Sequence, residues 1–155
     1  LCDYEGYALF GDCDMLARCD VHEIMDFAKQ QPNKAVWVAQ HCYETKVKTK
    51  FCGATQEHYP CKNWSSLILF DCSRCRALTT DYVNRASGLE LHRFLWLTLG
   101  DIGSLPLEYN WLVDEYEHND DAKILHYTLG GPWFEDYRQC DHADEWRAER
   151  DHMLG

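Results

Sequence analysis

Residues 7–14 read Tyr-Ala-Leu-Phe-Gly-Asp-Cys-Asp, an apolar run that ends in a glycine and two acids one residue apart. The five residues Tyr7–Gly11, bounded by Gly6 and Asp12, predict a short buried strand that stops at a loop. Such a strand delivers Asp12 and Asp14 to its carboxyl end. In extended backbone, side chains two positions apart point to the same side, so both carboxylates can approach one hard cation that prefers oxygen ligands.

Working outward, Asp20 and Glu23 match a D-x-x-E capping pattern, and Val21, Ile24, Met25 and Ala28 recur at helical spacing. They predict a helix ending at Lys29, closed by Pro32 and Asn33. Residues 35–40 (AVWVAQ) and 65–70 (SSLILF) predict two more strands. The polar stretch between them, with Lys46, Lys48 and Lys50, predicts a loop or edge hairpin. Thr79 or Thr80 can cap a helix through Ala86, Gly88 breaks it, and residues 89–97 resume it. Gly100, Gly103 and Pro106 predict an irregular turn. Residues 109–113 and 123–127 predict strands around the acidic segment 114–121. Residues 141–154 predict a charged surface or terminal helix, with Ala143, Trp146 and Met153 as its apolar contacts. Strands separated by helices imply an α/β layer architecture with a mixed sheet and flanking helices, whose ligands bind at strand carboxyl ends.

A length of 155 residues predicts one domain, and 46% hydrophobic with 26% charged residues excludes a disordered or low-complexity chain. No apolar run reaches the roughly 18 residues of a spanning helix, and no signal peptide is visible. The expectation is a chain without a membrane segment, in the cytoplasm. Twenty-six acids against 15 lysines and arginines give a formal charge of -11, which argues against nucleic acid as a partner. An anionic diphosphate would need a bound cation or local donors here. Nine cysteines leave at least one outside any internal disulfide. Only Cys72 and Cys75 form a C-x-x-C, and no second pair completes a tetrahedral zinc site, so buried or free thiols are expected.

The other segment that carries chemistry is 126–134 (HYTLGGPWF). A histidine at a strand end can add a nitrogen ligand to two carboxylates, a donor set that suits Mn2+. Gly130 and Gly131 let backbone N–H groups approach an anion closely, as a small phosphate-binding turn. Among the aromatics, Trp64, Trp96 and Trp111 are expected to pack in the core, and Trp133, beside the glycines, to offer a ring face to a ligand.

On these residues, segment 7–24 (YALFGDCDMLARCDVHEI) resembles the strand, D-x-D and following helix of GT-A-fold glycosyltransferases. HYTLGGPWF resembles their C-terminal histidine–glycine motif, especially in family 8-like sequences. Residues 62–72 (KNWSSLILFDC) are similar to the strand lining the donor and acceptor pocket. The resemblance covers residues 5–137.

It implies transfer of a sugar from a nucleotide-diphosphate donor, expected to be a UDP-sugar, to a glycan, lipid or protein acceptor, with retention of anomeric configuration. Asp12, Asp14 and His126 would hold Mn2+ or Mg2+. Gly130, Gly131, Cys13, Ser65, Ser66 and Trp133 would lie at the donor. Asn63 and Asp101 are the expected catalytic residues, and Asp101, Glu108 and Asn110 candidates for the acceptor side. An inverting reaction would use Asp101 or Glu108 as the base. The family motif carries a lysine that has no counterpart between His126 and Trp133, so phosphate contacts are expected from elsewhere. These folds also place the nucleoside-binding half before the D-x-D. The resemblance therefore predicts that residues 1–155 form a single catalytic domain fragment lacking the N-terminal part. Two other readings fit the same residues less well: a metal-dependent nucleotidyl or phosphoryl transferase, which lacks its glycine-rich phosphate loop here, and a non-catalytic scaffold or cysteine-rich metal-binding module.

Overall fold

Seven strands and four helices are present among residues 1–46, 49–53, 55 and 60–155, which the computed structural model describes. The strands are β1 (Tyr7–Gly11), β2 (Met15–Ala17), β3 (Val36–Ala39), β4 (Leu67–Asp71), β5 (Ile102–Leu105), β6 (Trp111–Leu112) and β7 (Ile124–His126). The helices are α1 (Ile24–Gln30), α2 (Thr80–Arg85), α3 (Gly88–His92) and α4 (Ala143–Leu154). Lys48 of the expected loop or hairpin lies outside the described residues.

The strands make two mixed sheets, where the α/β pattern of the sequence predicts one. One has the order β1-β4-β3-β5, with β4 antiparallel to both neighbours and β5 parallel to β3. The other has the order β2-β7-β6, with β2 antiparallel and β6 parallel to β7. Alternation along β3 and β4 sorts side chains to the two faces of the larger sheet. Val36, Val38, Ile68 and Phe70 pack with Ile102, Phe94, Cys72 and Cys75 on one face. Trp37, Leu67 and Leu69 pack with Leu105 and Tyr109 on the other, under Ile24 and Ala28 of α1. Each buried aliphatic or aromatic side chain contributes on the order of 1.5–3 kcal/mol, so these two strands are the centre of the core. Ile124 of the smaller sheet joins the second cluster, which fastens the sheets together.

Several expectations change. β1 has the predicted bounds but is not buried: it is one of the two edge strands of its sheet, and Tyr7, Leu9 and Phe10 are 40–50% exposed. β2 follows the D-x-D directly, ahead of the expected helix. That helix starts as a 3-10 turn over Val21–Glu23, where the Asp20 carboxylate accepts from the His22 N–H. The helical pattern over 89–97 stops early because Phe94, with φ 55, turns its ring into the core. The irregular turn expected around Gly103 contains β5. Glycine is needed there because the buried Trp37 indole occupies the place of a side chain: a Cβ on Gly103 would stand 2.3 Å from Trp37 Cδ1. The strand expected over 109–113 shrinks to β6, preceded by a 3-10 turn over Leu107–Asn110 that buries Asn110 completely. Among the described residues no helix is long and apolar enough to cross a membrane.

Candidate metal and donor site

The D-x-D segment crosses from one sheet to the other. At its start the Asp12 N–H donates to the Ser66 carbonyl (2.8 Å), beside β4; at its end the Asp14 carbonyl accepts from the Tyr127 N–H (2.9 Å), beside β7. His126 closes β7 opposite Met15, and its side chain is 3% exposed. One ligand atom each from Asp12, Asp14 and His126 lie within 4.8 Å of one another. The two neighbouring aspartates and the distant His126, all three expected, are brought together.

The orientation of His126 is fixed by a buried chain of hydrogen bonds. Asn110 Nδ2 donates to the Asn63 carbonyl (3.1 Å) and to Ser66 Oγ (2.9 Å), while Ser66 Oγ donates to the same carbonyl (2.7 Å). A carbonyl only accepts, so the amide nitrogen of Asn110 must face it and Asn110 Oδ1 faces His126 Nδ1 at 2.9 Å. Nδ1 therefore carries a hydrogen. That leaves Nε2 to face Asp14 Oδ1 at 3.5 Å. Nε2 can meet the two acids as an imidazolium, or bare and alongside a cation; a hydrogen bond on the far nitrogen that sets tautomer and ring direction is how metal-binding histidines are held. Burial pushes the Asp12 carboxyl above the usual range, with the neighbouring Asp14 adding to the effect and His126 opposing it. Burial acts on Asp14 in the same sense, but the contact and charge of His126, a backbone hydrogen bond and the charge of Lys50 together outweigh it and hold the carboxyl below that range.

These groups line a polar hollow of about 300 Å³ that also includes Asn63, Ser65, Ser66 and Thr128. A second hollow of about 330 Å³ lies across the aspartates, against Cys13, Gly130, Trp133 and Phe134. Of the expected residues, Asn63, Ser65 and Ser66 line the first hollow, and Cys13, Gly130 and Trp133 the second. Trp133 is 42% exposed, whereas Trp64 and Trp96 pack on the first core cluster and Trp111 on a third one around Leu125.

Other candidates fall elsewhere. The Asp101 carboxylate accepts from Thr98 N–H and Thr98 Oγ1 and caps the turn Leu99–Asp101, away from either hollow. Those bonds lower its pKa and commit it to a structural role. Glu108 lines neither hollow. Asn110 does not face an acceptor; it holds His126. The glycine pair is explained by packing: a Cβ on Gly130 would meet the Tyr137 ring at 2.7 Å, and one on Gly131 the Trp133 ring at 2.1 Å. The Gly130 N–H is already donated to the Tyr127 carbonyl (2.9 Å), so it is not offered to a phosphate. Cys72 and Cys75 are free and buried; Cys75 Sγ donates to the Ala35 carbonyl (3.4 Å), and burial pushes its thiol up to about 12.

Lys50, Phe51 and His92 line the polar hollow without having been singled out. The Phe51 N–H donates to the Leu129 carbonyl (2.9 Å) and its ring stacks on Phe134 (4.9 Å), which brings Lys50 beside the aspartates. The signal in the sequence is the run of three lysines at 46, 48 and 50 in an acidic chain. His92, at the end of α3, meets Ser65 Oγ through Nδ1 (2.5 Å).

The architecture, with its D-x-D between two mixed sheets, is the GT-A-like fold of glycosyltransferases. Among solved structures the chain is similar to the glycosyltransferase GlyE of Streptococcus pneumoniae TIGR4, with a TM-score of 0.58 and 14% identity over 93% of this chain and 39% of that one. It also matches the apo structure of the bifunctional glycosyltransferase WbbM, with a TM-score of 0.49 and 17% identity over 89% of this chain and 31% of that one. By sequence it is 41% identical to Protein CDI of Arabidopsis thaliana over 156 aligned positions, covering 96% of this chain and 60% of that protein. The chain thus spans less than two thirds of the length of this curated relative. No protein-family model matches the sequence.

Proposed function

We propose that the chain carries the divalent-metal and donor-diphosphate site of a retaining glycosyltransferase that uses a nucleotide sugar. The observation that carries the reading is the convergence of Asp12, Asp14 and His126 on a polar hollow in a GT-A-like fold. Two carboxylates and an imidazole whose far nitrogen is tied to Asn110 fit Mn2+, which accepts mixed oxygen and nitrogen ligands. When bound, such a cation supplies positive charge against the negative charge that builds on a departing nucleoside diphosphate.

The protein's own groups divide the remaining work. Lys50 adds a second positive charge for the diphosphate, in place of the lysine missing after His126. Asn63, Ser65 and Thr128 offer hydroxyl and amide contacts to the sugar, and the half-exposed Trp133 an aromatic face to it. Asp12 and Asp14 are the only carboxylates among the described residues lining the polar hollow. With both directed to the cation, no carboxylate is left there to act as a base, and His92 is engaged with Ser65 Oγ, which favours retention over inversion.

Thermal unfolding with Mn2+, with and without UDP, tests the reading. At about 100 times its dissociation constant a ligand adds about 2.7 kcal/mol of stability. Mn2+ should raise the unfolding temperature of the wild type and UDP should raise it further only with Mn2+; Asp12→Asn and Asp14→Asn should remove both shifts. Equal Mn2+ shifts in the wild type and both variants would sink the proposal.

A further inference from the structure

A second convergence of ligating groups lies outside the donor site, where the segment after β6 meets the start of α4. One ligand atom each from His118, Asp141 and His142 lie within 4.8 Å of one another. Asp141 stands between the two rings: its Oδ1 is 2.7 Å from His118 Nδ1 and its Oδ2 is 3.4 Å from His142 Nε2. The rings stack at 4.6 Å with 17° between their planes.

Three features make this a built arrangement. The His142 side chain is 5% exposed, yet its buried Nε2 has no hydrogen-bond partner. Asp141 Oδ2 at 3.4 Å is within ion-pair range but makes no hydrogen bond with it, and a buried imidazole nitrogen without one is costly unless something else meets it. Both histidines have a carboxylate on the nitrogen facing away from Asp141: Asp120 Oδ1 lies 3.1 Å from His118 Nε2, and Glu145 Oε2 lies 3.6 Å from His142 Nδ1. Carboxylates in that position orient metal-binding imidazoles and raise their basicity. The backbone is also pinned, since the Asp141 N–H donates to Asp114 Oδ1 (3.1 Å) and Tyr127 OH donates to the His142 carbonyl (3.1 Å).

We infer that His118, Asp141 and His142 form a binding site for a zinc-class divalent transition metal, distinct from the Asp12–Asp14–His126 site. Ligand atoms on a tetrahedral zinc about 2.0–2.1 Å away stand about 3.3 Å from one another; one ligand atom from each of the three residues here lies within 4.8 Å of the others, so modest side-chain shifts close them around an ion. Two imidazoles with one carboxylate favour Zn2+ over Mn2+ or Mg2+, whereas the donor site, richer in oxygen, has the opposite preference. On binding, the ion replaces the proton shared by His118 and Asp141. It ties the acidic segment 114–121 to the start of α4, whose Trp146 packs 5.2 Å from Trp133 at the donor hollow.

Equilibrium dialysis of Zn2+ against the folded chain tests the inference, in an Asp14→Asn background so that the first site does not contribute. One Zn2+ per chain is expected there, and it should remain with Cys75→Ser. His118→Ala should weaken binding at least 10-fold; its side chain is 57% exposed, so this variant should fold even if His142→Ala does not. Co2+ in place of zinc should give a visible absorption band without a thiolate charge-transfer band, lost in His118→Ala. Zn2+ affinity unchanged by His118→Ala, or affinity lost with Cys75→Ser, would overturn it.

Discussion

Asn110 shows how much one buried amide decides. It is fully buried, it spends both kinds of polar atom, and through them it sets which nitrogen of His126 carries hydrogen. Replacing it by alanine leaves the Nδ1 hydrogen of His126, buried beside it, without its partner. A buried donor stranded in this way costs about 1–3 kcal/mol. Loss of a partner that orients a metal ligand typically costs about 10–100-fold in metal affinity. Asn110→Ala is therefore expected to lower stability in urea by that amount and to weaken Mn2+ binding by one to two orders of magnitude. The two losses should be coupled: once His126→Ala is present, Asn110→Ala should cost little further affinity, because the ring it holds is gone. Additive losses in calorimetric titration of the four proteins would show that Asn110 acts on something other than His126.

At the scale of elements, patterning made the centre of the fold legible and left its margins obscure. The β-branched and apolar runs of β3 and β4, and the apolar run before the D-x-D, announce strands because every residue agrees with the element. β5 was hidden because Gly103 and Pro106 read as turn chemistry, whereas the glycine is set by Trp37, 66 positions earlier. The exposure of β1 was hidden for a related reason: an apolar run does not say whether a strand has one neighbour or two. In the site, the aspartates and His126 could be found because each closes a recognisable strand. The part played by Asn110 could not, because a single 3-10 turn carries it in, and Lys50 shows only as one of a basic run, because a loop stapled by Phe51 brings it to the hollow. The reading of β5 predicts that Gly103→Ala will force the Trp37 ring or the β3–β5 pairing to move. Overpacking of this kind costs about 1–3 kcal/mol. The melting temperature should fall accordingly, while Mn2+ affinity, set at the opposite side of β4, stays as it was. In a Trp37→Ala background, which removes the ring that collides, Gly103→Ala should cost little further stability; an undiminished cost there would place the strain elsewhere.

For the whole molecule the governing fact is a formal charge of -11 around a site proposed to take an anion. The field of such a surface repels a diphosphate and attracts a divalent cation, so the proposed site is expected to take metal first and donor second. Lys50 sits at the point where these two tendencies conflict. Its ammonium lines the hollow with Asp12 and Asp14 and lowers the pKa of each, although burial and His126 act on both more strongly. A positive charge that favours ionised carboxylates also opposes a second cation among them. Lys50→Ala is thus expected to act in opposite directions on the two ligands: Mn2+ should bind as tightly or more tightly, and UDP should bind the Mn2+-loaded protein about 10-fold more weakly, the scale of one charge-assisted hydrogen bond. Lys50→Arg should keep most of the UDP affinity, since the charge remains. Successive titration of Mn2+ and then UDP separates the two effects. A parallel loss of both affinities in Lys50→Ala would mean that the lysine holds the loop in place; undiminished UDP affinity would mean that the diphosphate is gripped by other groups and that the basic run 46–50 serves a different surface.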